Sequence, residues 1–143
     1  MLIRPMTATD LDDVTRLCDQ LGYLSTPAQI AHRFGLLLDS SGNALFVAEG
    51  EDERVVGWVH VVGRVYLDSD PFAQVGGIVV DDRYRGQGVG AALMAAAERW
   101  AAARGYDEMR LWTNVRRDDA HAFYERLGYT HSKTSRVYRK SLP

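Results

Sequence analysis

The chain lacks several features that would narrow its function at once. It has one cysteine, Cys18, so neither an internal disulfide nor a cysteine metal cluster can form. Cys18 falls in an amphipathic stretch and reads as a small packed residue rather than a nucleophile. The four histidines, His32, His60, His121 and His131, are scattered without ligand spacing, so no metal is expected. No apolar run approaches the roughly 20 residues that span a bilayer. The opening MLIRPMTATD lacks the charged-then-apolar pattern of a secretory leader. A cytoplasmic protein with no membrane partner is expected. Charge of neither sign is in surplus, since 17 Lys and Arg face 19 Asp and Glu for a net charge of -2. A nucleic-acid partner, which usually needs a basic excess, is not expected. Repeats and low-complexity tracts are absent. What remains is 46% hydrophobic and 25% charged over 143 residues. That suits one globular domain, residues 1–143, with its own core.

Local patterns give an element order. Leu2–Pro5 reads as a strand. Thr7, three residues ahead of Asp10, opens a helix whose apolar face is Leu11, Val14, Leu17, Cys18 and Leu21, ended by Gly22. Thr26-Pro27-Ala28-Gln29 opens a second, with Ile30, Phe34, Leu37 and Leu38 on one face. Strands are expected at Ala44–Glu49, Arg54–Tyr66 and Gln74–Val80, with a charged tip at Glu51–Glu53, bulges at Gly57 and Gly63, and a loop over Leu67–Phe72. A long helix follows over Val89–Arg104, stopped by Gly105. Then come a strand at Met109–Thr113, a helix bearing Ala120, Phe123, Tyr124 and Leu127, and a strand at Arg136–Lys140. Helices interspersed with consecutive strands imply an α/β architecture, a mixed central sheet with helices on both faces.

The segment Ile78-Val79-Val80-Asp81-Asp82-Arg83-Tyr84-Arg85-Gly86-Gln87-Gly88-Val89-Gly90 carries the most chemistry. An apolar strand enters a glycine-rich turn that opens a helix. A helix start offers unpaired N–H groups and partial positive charge, which suit a phosphate. Arg83 and Arg85 add formal charge beside it. A P-loop is excluded, because Val89-Gly90 follows Gly88 where lysine and a hydroxyl residue are required. The dinucleotide fingerprint fits poorly, because the glycines run G-x-G-x-G and no β-α unit precedes them at the chain start. Asp81-Asp82 is expected on the surface.

Arg85-x-x-Gly88-x-Gly90 resembles the acyl-coenzyme A signature of the GCN5-related N-acetyltransferase (GNAT) superfamily. Asn114 to Tyr129, reading NVRRDDAHAFYERLGY, resembles its later motif. Together they cover Gln74 to Tyr129. The resemblance implies the GNAT fold and acetyl-coenzyme A as acyl donor. It implies that the amides from Gly86, Gln87, Gly88 and Val89 to Gly90 grip the pyrophosphate. It implies also that Ile78, Val79 and Val80 pair with the pantetheine arm like another strand, and that Asn114 contacts the pantetheine. Tyr124 falls on the position that donates a proton to the departing thiolate. Arg117 stands where relatives often carry asparagine; with Arg116 it offers charge to the coenzyme phosphates. An N–H of the Val79–Val80 strand is suited to the developing oxyanion.

The base is not legible. Relatives often carry a carboxylate before the glycine turn, where this chain has Gln74-Val75-Gly76-Gly77-Ile78. Glu49, His60, Asp68 and Asp70 are candidates, and His60 has the right ordinary pKa. Asp39, Asp68 and Asp70 suit a cationic acceptor, and Tyr23, Phe34, Tyr66 and Phe72 an apolar wall. The leading expectation is an acetyl-coenzyme A-dependent N-acetyltransferase acting on a small-molecule primary amine in a ternary complex. The alternatives are a non-catalytic acyl-coenzyme A sensor and a protein (lysine or N-terminal) acetyltransferase. A homodimer is a further possibility, since sheet edges need covering.

Overall fold

A computed structural model describes residues 1–143, which form two compact units, residues 1–111 and 112–143. The first holds a five-stranded sheet in the order β1 (Leu2–Pro5), β2 (Asn43–Glu49), β3 (Val55–Tyr66), β4 (Ser69–Val80), β5 (Met109–Arg110). The first four strands run antiparallel to their neighbours, and β5 runs parallel to β4. Three α-helices accompany it: α1 (Leu11–Gln20), α2 (Pro27–Leu38) and α3 (Val89–Ala103). The second unit carries α4 (Asp118–Arg126) and no strand.

The pleat sends alternate residues of β3 to opposite faces. On one face Trp58 packs with Val47 and Val79 against Val14, Leu17 and Cys18 of α1 and Phe34 of α2. On the other, Val89 and Leu93 of α3 lie against Gly57. Helices therefore cover both faces. Both helix starts follow their capping chemistry. Asp10 accepts the Thr7 N–H at 2.7 Å, and Thr26 and Gln29 bond reciprocally at 2.9 and 3.1 Å.

Three expectations need correction. The segment Leu67–Phe72 is not a loop, because β3 and β4 form one long hairpin closed at Leu67-Asp68. Pro71, which has no N–H to donate, falls in a register shift, where Arg64 opposes Phe72 and Tyr66 opposes Ser69. Gly57 does border a bulge, since Ala48 opposes Gly57 while Glu49 opposes Val55, whereas Gly63 stays in register opposite Ala73. A Cβ on Gly57 would lie 2.9 Å from the Val79 carbonyl oxygen and 3.0 Å from Leu93 Cδ1, and one on Gly63 would collide with the Tyr106 hydroxyl. Both glycines permit close approach to the α3 side. A further bulge, not expected, lies at Gly76, since His60 opposes Gly77 while Val61 opposes Val75. Lastly, β5 stops at Arg110, short of Thr113, and no strand forms over Arg136–Lys140. Val137 and Tyr138 there are more than four-fifths exposed, so burial does not fix their pattern.

Candidate active site

β4 pairs with β3 as far as Val80, but with β5 only at Ala73 and Gln74. From Val75 onward its second edge has no strand partner. Alternation within the β3–β4 ladder shows which groups that edge presents. Asp81 donates its N–H to the Val56 carbonyl at 2.8 Å. Every second residue upstream, Val79 and Gly77, therefore bonds toward β3, and Ile78 and Val80 turn N–H and C=O to the open side. The Val79 side chain is buried in the core.

The open edge runs straight into the start of α3. The first bond involving that helix is from the Ala92 N–H to the Gly88 carbonyl at 3.0 Å. Gly88, at the helix cap, has no side chain to satisfy the amides of Val89, Gly90 and Ala91. Gly86 and Gly88 adopt φ of 72° and 84°, a left-handed conformation costly to other residues. Val89 and Leu93 are buried, and Gly57 lets them seat closely on β3. Packing thus fixes the unpaired amides beside the end of the strand.

Asp81, expected on the surface, is fully buried and holds this turn. Its carboxylate accepts the Arg16 guanidinium at 2.8 Å, the Arg83 N–H at 3.0 Å and the Arg83 guanidinium at 3.3 Å. Those bonds outweigh burial and hold its pKa far below the usual carboxylate range. The Gln20 side chain accepts the Asp82 N–H at 3.0 Å, tying the turn to α1 a second time. Arg83 is thereby engaged by the protein. Arg85 pairs with Asp82 at 2.8 Å, but both are exposed, so this link is weak and exchangeable.

The remaining sequence-derived candidates divide between the units. His60 lies on β3 opposite Gly77. Asn114, Arg117 and Tyr124 belong to the second unit. There the Asn114 side-chain oxygen accepts the Arg116 N–H at 2.9 Å, and its carbonyl accepts the Arg117 N–H at 3.0 Å, folding the turn into α4. Tyr124 packs edge-on to Phe123 and Tyr129, with ring centroids 5.1 and 6.1 Å away. Burial pushes its phenol above the usual 10, and Arg117 partly opposes this. Glu49 is bound by Arg4 at 3.0 Å. Phe34 and Phe72, expected in an acceptor wall, are buried; Tyr23 and Tyr66 are exposed. No group of three or more His, Cys, Asp or Glu side chains is assembled to hold a metal ion.

An edge open for strand-like pairing that runs into unpaired helix amides suits a ligand with an amide-bearing arm and a diphosphate, as in coenzyme A. Comparison with known proteins agrees. Residues 10–129 match the Acetyltransferase (GNAT) family, and the chain belongs to it. It is an acyltransferase that uses acetyl-coenzyme A. The aminoalkylphosphonate N-acetyltransferase of Salmonella typhimurium is 34% identical over 135 residues, covering 91% of this chain and 85% of the relative. The aminoglycoside N(6')-acetyltransferase type 1 of Serratia marcescens is 31% identical over 110 residues, covering 74% and 75%. Among solved structures, the aminoglycoside N-acetyltransferase AAC(6')-Iy in complex with CoA superposes with a TM-score of 0.88 at 27% identity, covering 99% of this chain and 95% of that one.

Proposed function

We propose that this enzyme acetylates a primary amine on a small molecule in the cytoplasm, by direct attack within a ternary complex. The observation that carries the reading is the open edge of β4 leading into the unpaired amides of α3. Ile78 and Val80 pair with the pantetheine amides, and one of their N–H groups stabilises the tetrahedral oxyanion. The amides from Gly86 to Gly90 bind the pyrophosphate, helped by the partial positive charge of the helix start. Arg85 exchanges Asp82 for phosphate. Asn114 and Arg117 assist in holding the coenzyme, and Tyr124 protonates the thiolate as it leaves.

The small-molecule reading is supported by relatives named for aminoglycosides and aminoalkylphosphonates. Asp68 and Asp70, expected beside the acceptor, lie at the closed end of the β3–β4 hairpin, eight or more residues along the chain from Ile78.

Thiol release from acetyl-coenzyme A across a panel of aminoglycosides, aminoalkylphosphonates, polyamines and lysine peptides tests the proposal. Turnover confined to the peptides would overturn the small-molecule assignment. A further expectation concerns Gly88. Valine there would strain a left-handed backbone by about 1–2 kcal/mol and misdirect the amides that follow. The dissociation constant of acetyl-coenzyme A measured by calorimetry should rise tenfold or more. An unchanged constant would remove the turn from the binding site.

A further inference from the structure

The first unit holds one titratable group placed for proton transfer that the coenzyme site does not use. His60 follows Trp58 by two residues on β3, so it shares the face that α1 and α2 cover. Opposite it, the bulge inserts Gly76 into β4. A Cβ built on Gly76 would lie 2.6 Å from His60 Nδ1 and 3.3 Å from Cε1. The imidazole therefore occupies the space where a side chain at position 76 would begin. Gly76 is itself exposed, so that ring edge borders an open surface, whereas Nε2 is buried without a hydrogen-bond partner. Residues 74–78 carry no carboxylate.

We infer that His60, set against the bulge at Gly76, accepts the proton that the acceptor ammonium loses before it attacks the thioester. The inference rests on the acetyltransferase reading and names the base of that site. The ammonium passes one proton to the imidazole, and the freed nitrogen lone pair forms the bond to the thioester carbon. The carbon–sulfur bond then breaks with its electron pair going to sulfur. The second proton from nitrogen is matched by one delivered to sulfur, giving amide and free thiol. The imidazolium returns its proton to water.

The surroundings keep the imidazole neutral. Burial pushes its pKa below the usual 6.5, and Arg64 on the same strand acts in the same direction. The neighbouring Leu45 on β2 and Gly76 and Gly77 on β4 bring no charge, and neutral Gln74 accepts the Arg64 guanidinium at 2.8 Å. Cys18, the titratable residue that α1 adds to this face, has its thiol pKa raised by burial and stays uncharged.

The test compares wild type, His60→Gln, Gly76→Ala and the double variant. The acceptors are kanamycin and 2-aminoethylphosphonate, and calorimetry follows acetyl-coenzyme A binding. In wild type, kcat/KM should climb with pH through a value below 6.5. His60→Gln should lower it about a hundredfold at pH 7 and erase that limb, with coenzyme affinity unchanged within about twofold. Gly76→Ala, by displacing the ring, should cost a similar factor alone and little in the His60→Gln background. An unchanged kcat/KM, or a uniform loss that leaves the limb in place, overturns the role. If coenzyme binds but neither amine reacts, the acceptor class is wrong, and if coenzyme does not bind, the function is wrong. In both cases His60 is still judged by diethyl pyrocarbonate at pH 6.5 with peptide mass mapping. Carbethoxylation of His60 supports a neutral, reachable imidazole; an unreactive His60 overturns it.

Discussion

Replacing Tyr124 with phenylalanine should lower kcat about a hundredfold while leaving the affinity for acetyl-coenzyme A within twofold. General acids typically contribute 10² to 10⁴ in rate. Burial keeps the Tyr124 phenol protonated at neutral pH, above its ordinary 10. As the proposed acid, it would deliver its proton to sulfur as the carbon–sulfur bond breaks. Removing the hydroxyl should consequently depress kcat and kcat/KM alike. The ring remains to pack against Phe123 and Tyr129, so the thermal midpoint should hold. Stopped thiol-release kinetics beside coenzyme calorimetry separate the two effects. Unaltered turnover would exclude Tyr124 as the acid.

Asp81→Ala should produce the largest loss of stability at the site, about 3 kcal/mol by urea unfolding. Breaking a buried ion pair from one side costs roughly 3–5 kcal/mol. The lower end applies because Arg16 retains 31% exposure and can partly rehydrate. Coenzyme affinity should fall too, since the turn loses one of its two ties to α1 and keeps only the Gln20 bond. The pH dependence has a defined sign. Asp81 has a folded pKa far below its unfolded 3.8. Its contribution is fully present above about pH 4 and drains away as pH drops through the folded value. Wild type should therefore lose stability steeply below about pH 4, and Asp81→Ala less steeply. Asp10 and Asp13, both depressed by arginine partners, keep some slope in the variant. Equal slopes would mean that the Asp81 pairs form in the unfolded chain as well.

The helices were legible because their caps and periodicity are local. The long strand β3 was legible as a β-branched and aromatic run, and the shorter strands as apolar or alternating segments. The closure of β3 and β4 at Leu67-Asp68 was not, because Pro71 in a polar stretch reads as a loop until a register shift absorbs it. The glycine turn could be read, since strand, arginine and glycines follow in order. Asp81 could not: two adjacent aspartates look solvated, and only the fold brings Arg16 across from α1. Gly57, Gly63 and Gly76 share one letter, yet two admit a neighbour from the α3 side and the third makes room for an imidazole. The difference lies in what approaches each from a distant part of the chain.

An unpaired strand edge is a hazard in a soluble protein, inviting other chains to complete the ladder. Here the vulnerable stretch of β4 is the one that the acyl donor is proposed to zip against. On that proposal the bound donor would stand in for a sixth strand, and the melting temperature of the enzyme would climb with its concentration.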